Sequence, residues 1–172
     1  MKKNIIVATL VAAGAMGSVS AFAADGQINF TGEIIDSACE VVNNVSSPLN
    51  VSMGKIAKTA FSGKGSTAAA TKFTLQLNNC PATLTGATVK FDGTTVAGDN
   101  SVLALTSGGA TGVGIQLSDS SSVLALNTAS ASYPLQSTGT NNLDFVARYV
   151  ATAATVTAGA ANAVASFTIN YN

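Results

Sequence analysis

The fold this sequence predicts is an all-β sandwich of immunoglobulin-like type, and three observations carry the prediction. Apolar and polar residues alternate in short runs along residues 24–172, the period of a half-buried strand. Gly, Asn, Ser, Asp and Pro separate the runs, which is turn chemistry. No window holds a helical apolar period long enough to compete. About eight strands joined in this way pack as two sheets over one core.

Residues 1–23 stand apart from that pattern. Lys2 and Lys3 precede an apolar run from Ile5 to about Met16, which passes into the small-residue stretch GSVSAFA. This is a cleaved signal peptide ending in the A-x-A site Ala21-Phe22-Ala23, with an apolar core too short to span a bilayer. The exported chain is then expected to begin at Ala24. Its 149 residues suit one domain.

The first run of that chain, DGQINFTGEII at residues 25–35, sets Ile28, Phe30 and Ile34 on one side, with Gly32 keeping the parity. Gln27, Asn29, Thr31 and Glu33 fall on the other side, so one face is made for burial. TKFTLQLNNC follows with Phe73, Leu75 and Leu77 aligned, then GATVKFDG with Val89 and Phe91 before an Asp92-Gly93 turn. NSVLALTSGG and GVGIQLSDSSSVLALN continue the alternation, the latter through Val113, Ile115 and Leu117. NNLDFVARYVAT aligns Leu143, Phe145 and Tyr149. The Ala-rich stretches STAAAT and ATAATVTAGAANAVA hold too much Thr, Ser, Gly and Val for helix; they read as a loop or turn before a strand and as a flexible loop before the last one. That last run places Phe167, Ile169 and Tyr171 on one face and stops at Asn172. A strand this regular should have neighbours on both sides inside a sheet; if one is missing, its backbone groups and the core beside it are expected to lie open.

Composition excludes several function classes. Without the signal, six basic residues face eight acidic ones, a balance with no electrostatic footprint for nucleic acid or an anionic membrane. The chain has no His and no Trp, which removes the usual general base and the usual sugar-stacking platform. Asp92, Asp99 and Asp119 occupy turn-like contexts, and Asp25, Glu33, Asp36 and Glu40 read as a solvated face. SGKGS at residues 62–66 lacks the upstream glycine of a phosphate loop, and nothing brings Lys64 to a serine as a hydrolase would need. Arg148, the only arginine, is expected to lay its stem on a sheet face and pair a carboxylate at the rim. No spacing suits calcium or zinc, and no catalytic residue, metal or cofactor is expected. Cys39 and Cys80, an isolated pair in an exported chain, read as a disulfide.

These motifs together resemble the major pilin subunits of chaperone–usher fimbriae, and most of all the type 1 family. The resemblance is carried by GQINFTGEIIDSACEV, FTLQLNNCPATLTGATVKF, VLALTSGGATGVGIQL and DFVARYVATAATVTAGAANAVASFTINYN, with Gly159 and the penultimate Tyr171 where that family keeps a glycine and a tyrosine. It implies an immunoglobulin-like sandwich lacking its final strand, with an acceptor groove beside the C-terminal strand that holds Gly159, Phe167, Ile169 and Tyr171. A periplasmic chaperone lends a strand to that groove, and at the outer-membrane usher the extension of the next subunit replaces it. Residues 24–35 would be that donor, inserting Ile28, Phe30 and Ile34, with Gly32 where a side chain would clash; residues 36–172 would be the pilin domain. The partners implied are other copies of the chain, the chaperone, the usher and minor or tip subunits. The product implied is an extracellular fimbria that supports adhesion. A tip adhesin would carry a further receptor-binding domain, for which residues 24–172 leave no room. The alternative is a stand-alone secreted adhesin or carbohydrate-binding module with a complete sandwich.

Overall fold

The computed structural model of the chain describes residues 26–35 and 37–172; the expected signal peptide lies outside them. The chain divides into two units after Ile34. In the first, residues 26–34 form no strand. Ile28, Phe30 and Ile34 are 78%, 92% and 97% exposed, and Gly32 has nothing within 4 Å of where a Cβ would stand.

The second unit is all-β apart from one 3-10 turn at Lys58–Ala60. Its strands are β1 (Glu40–Val41), β2 (Thr67–Asn78), β3 (Gly86–Asp92), β4 (Thr95–Val96) and β5 (Asp99–Leu103), then β6 (Val113–Ser118), β7 (Val123–Leu124), β8 (Tyr133–Pro134), β9 (Asn141–Ala151) and β10 (Ser166–Tyr171). One sheet runs β1-β2-β9-β6-β5-β4 with β7 on β6, and the other runs β10-β3-β8. Every pairing is antiparallel.

Alternation decides which residues the two sheets bury between them. Leu75 and Leu77 of β2, Leu143 and Phe145 of β9, and Val89 of β3 are fully or almost fully buried. Phe145 stacks on Phe73 at 5.6 Å and meets Phe91 edge-on at 5.0 Å, with Tyr133 5.4 Å away, so one aromatic cluster ties both sheets. Edge-to-face and offset rings add about 0.5 to 1.5 kcal/mol per pair beyond the area they bury.

The stretch expected to be a loop, STAAAT, belongs to β2 from Thr67 onward. The β2–β9 register shifts between Ala68 and Thr71, and Ala69 takes a positive φ of 55°. A bulge accommodates the surplus residue, and alanine is small enough to occupy it without disturbing the faces. Cys39 and Cys80 form the expected disulfide across a separation of 41 residues, which stabilises by about 4 kcal/mol in the chain-entropy model. SGKGS is a surface turn, with Gly63 and Gly65 at positive φ and the Ser66 hydroxyl donating to the Gly63 carbonyl.

Arg148 departs from its expected role. It lies on β9 out of phase with the core-facing Phe145, Ala147 and Tyr149, yet among the described residues no carboxylate pairs with it, and its buried Nε has no hydrogen-bond partner. The carboxylate of that face, Asp144, is already engaged by Lys72 Nζ at 2.8 Å and the Thr74 hydroxyl at 2.6 Å. Those two bonds hold its pKa below the usual range against a smaller effect of burial.

Candidate functional site

β10 pairs with β3 on one side only. Asn172, next after β10, exchanges two backbone hydrogen bonds of 2.9 Å with Gly86. In an antiparallel ladder the bonding alternates residue by residue. Asn170, Thr168 and Ser166 therefore direct their backbone groups to β3, while Phe167, Ile169 and Tyr171 direct theirs to the side where no described strand lies. The same parity turns the side chains of Phe167, Ile169 and Tyr171 onto the core, where they remain only half-buried. Among the described residues these three thus find no partner for their backbone groups, and part of their apolar surface stays uncovered.

The row continues upstream. Ala161, Ala163 and Ala165 are half-buried against the same core, and the residues between them are exposed. The irregular segment that holds them is laced to the β5–β6 loop: Thr106 N–H donates to the Asn162 carbonyl and Ala110 N–H to the Ala160 carbonyl, while Thr157 N–H donates to the Thr111 carbonyl. The Tyr149 hydroxyl donates to the Ala161 carbonyl at 2.9 Å. Gly159 lies in this segment, before β10. A Cβ there would stand 2.6 Å from the Ala110 nitrogen, so close approach of two backbones explains the glycine.

A second unpaired stretch borders the same core. Residues 48–56 make no hydrogen bond with any described residue, although Val51 and Met53 are half-buried and Met53 packs on the core. The stretch leads from the Cys39 end of the sandwich, where Val42 N–H bonds the Gln76 carbonyl, to the far end, where Gly65 N–H bonds the Ala151 carbonyl. Tyr171 is the last residue of β10. Burial raises the pKa of its phenol, and a hydrogen bond with the Cys39 backbone works against that rise, so the end of β10 and the start of β1 lie on one side of the sandwich. β10 and residues 48–56 thus both meet the one core with backbone that no described residue pairs, and this open apolar margin of the core is the trough.

Phe167, Ile169 and Tyr171 come together in this trough, Cys39 and Cys80 stand at one end of it, and Gly159 lies on the segment leading into β10. Sequence reasoning missed Val51, Met53 and the three alanines. The alternation of Leu49, Val51 and Met53, and the parity shared by residues 161–171, were the available clues. Among the described residues no group of three or more His, Cys, Asp or Glu is placed to hold a metal.

Known proteins resemble the chain in sequence and in fold. Residues 28–172 match the family model described as Fimbrial protein. The chain is 36% identical to the type-1 fimbrial protein A chain of Escherichia coli K12, with 99% of this chain and 100% of that one covered. A crystal structure of the Burkholderia pseudomallei antigen and type I fimbria protein BPSL1626 is 44% identical and superposes with a TM-score of 0.62, over 85% of this chain and 97% of the other. The P pilus rod subunit PapA, 23% identical, shares the fold with a TM-score of 0.68, over 79% of this chain and all of its own. The chain belongs to the fimbrial protein family. It is a structural subunit of a fimbria, an extracellular surface fibre built by contact between subunits.

Proposed function

We propose that residues 24–35 of one copy fill the trough of the next, so that the chain polymerises head to tail by donor-strand exchange. The observation that carries this reading is the open edge of β10, where the residues with unpaired backbone are also those with uncovered side chains. Strand addition meets both needs at once, through main-chain hydrogen bonds and alternate side chains. Ile28, Phe30 and Ile34 have the matching period and are exposed; burying the three contributes about 5 to 9 kcal/mol before ordering costs. Gly32 keeps the row without adding a side chain. Donor and acceptor are different surfaces, so the contact is heterologous and extends into a filament.

A subunit with such an edge needs a lent strand before assembly, which assigns it a periplasmic chaperone and then an outer-membrane usher. Residues 1–23 serve as the cleaved export signal and 36–172 as the pilin domain. The protein acts by assembly and carries out no reaction on a substrate. A stand-alone binding module would need the β10 edge closed within one chain.

The test is a variant with Ile28→Asp and Phe30→Asp, which keeps the acceptor and spoils the donor. Cells making only this variant are expected to show no fibres by electron microscopy, while its acceptor still takes up a wild-type extension. Fibres of normal length from the variant alone would overturn the donor assignment.

A further inference from the structure

Charge is segregated along the exported chain. Residues 24–54 hold Asp25, Glu33, Asp36 and Glu40 and no basic residue, whereas residues 55–91 hold five lysines and no acidic residue. Neighbours within the chain account for part of this. Lys72 pairs with Asp144 at 2.8 Å and Lys90 lies 4.0 Å from Asp92, Lys64 shares the lining of a surface hollow with Asp99, and Glu40 accepts a hydrogen bond from Asn79. Lys55 and Lys58 are exposed and have no carboxylate within 4.0 Å among the described residues. Lys55 belongs to the unpaired stretch that borders the trough and Lys58 follows it by three residues. On the other side of the ledger, Glu33 is exposed and sits out of phase with Ile28, Phe30 and Ile34, so it stays outward when they insert.

We infer that Lys55 and Lys58 form an electrostatic landing strip on the bank of the trough for the acidic extension of an incoming second copy. The inference rests on the donor-strand reading and adds to it a device for capture. Exposed ion pairs stabilise a finished contact by only about 0 to 1 kcal/mol, so the effect falls on the encounter. A strip of one sign facing an extension of the other raises association rates by about tenfold or more and makes them sensitive to salt. The exported chain is slightly acidic as a whole, so two copies repel at long range, and a local basic strip gives the acidic extension a preferred place to arrive.

The test follows polymerisation of the purified chain 24–172 by light scattering at low and high sodium chloride. Wild type is expected to slow about tenfold between roughly 20 and 300 mM salt, as the Debye length contracts from about 20 Å to about 6 Å. Lys55→Gln with Lys58→Gln should polymerise about tenfold more slowly at low salt and respond little to added salt. Lys55→Glu with Lys58→Glu should be slower still, and adding Glu33→Lys should restore much of the rate. That rescue keeps the inference falsifiable if either lysine variant loses folded material. A Gln variant with the wild-type rate and salt slope would overturn it, as would a charge swap without rescue beside a polymerising wild type. A wild-type chain that neither polymerises nor takes up a synthetic peptide of residues 24–35 at any salt would instead remove the donor-strand reading beneath it.

Discussion

Asp119, at the end of β6, shows how one side chain joins two parts of the sandwich. Burial would raise its pKa, yet hydrogen bonds from Ala131 N–H, the Ser121 hydroxyl and the N–H groups of Ser121 and Ser122 outweigh this and bring it down from 3.8 to about 2. One oxygen takes the local turn at 2.8 Å and the other takes Ala131 at 2.9 Å, twelve residues on. A folded-state pKa below the unfolded value means that the ionised group adds stability above about pH 4, and that this is lost as pH falls through 4 towards 2. Asp119→Asn presents an amide where Ala131 needs an acceptor and should cost about 1 to 3 kcal/mol at neutral pH. Urea melts from pH 7 to 2 are expected to show the gap to wild type closing with acid; a gap independent of pH would remove this assignment. The turn role of Asp119 was legible in SDSSS, because aspartate before serines favours local backbone bonds. Its reach to Ala131 was not, since it depends on β6 and the segment before β8 meeting in space. Tyr133 is a contrasting case: burial, then Asp119 and Asp144, push its phenol up to about 12, so it stays a donor to the Asp144 carbonyl at any ordinary pH.

Whole elements divide by whether their partners belong to the same chain. Strands β2, β3, β6 and β9 were legible because both neighbours and core lie within the domain and impose a strict period of two. The STAAAT stretch was not, because alanine gives no contrast between faces and a bulge breaks the period. Residues 152–165 are the loop before the last strand that the sequence suggested; what low side-chain contrast hid is its lacing to the β5–β6 loop, made by backbone groups that sequence patterns do not reveal. Glycine is the one visible trace. Gly109 and Gly112 meet the carbonyls of Ala160 and Thr155 so closely that a Cβ at either would clash, and Gly159 meets Gly109 and Ala110 from the other side. Gly159→Val should therefore cost about 1 to 3 kcal/mol through overpacking. Hydrogen exchange should show lost protection first at the amides of Thr106, Ala110 and Thr157, whose acceptors define the lacing. Unchanged protection at those three amides would mean that the segment is held elsewhere.

At the scale of the whole molecule, an extension whose described residues form no strand and a β10 edge that pairs with only one described strand are complementary deficits. An isolated chain leaves both uncorrected, which makes stability the property to measure. Appending a second copy of DGQINFTGEII after Asn172 through a short flexible linker lets the added strand turn back along β10, antiparallel, against the backbone groups of Phe167, Ile169 and Tyr171. The gain of about 5 to 9 kcal/mol for three buried side chains corresponds to about 10 to 30 °C in melting temperature for a domain of this size. Thermal unfolding of residues 24–172 beside the extended chain is expected to show the latter monomeric and more stable by that margin, while the former melts low or polymerises. Placing Asp at the positions of Ile28 and Phe30 in the appended copy alone should abolish the gain, which separates groove filling from any effect of a longer tail. Equal melting of two monomers would mean that the domain is complete without a donor, and the open edge of β10 would then need another explanation.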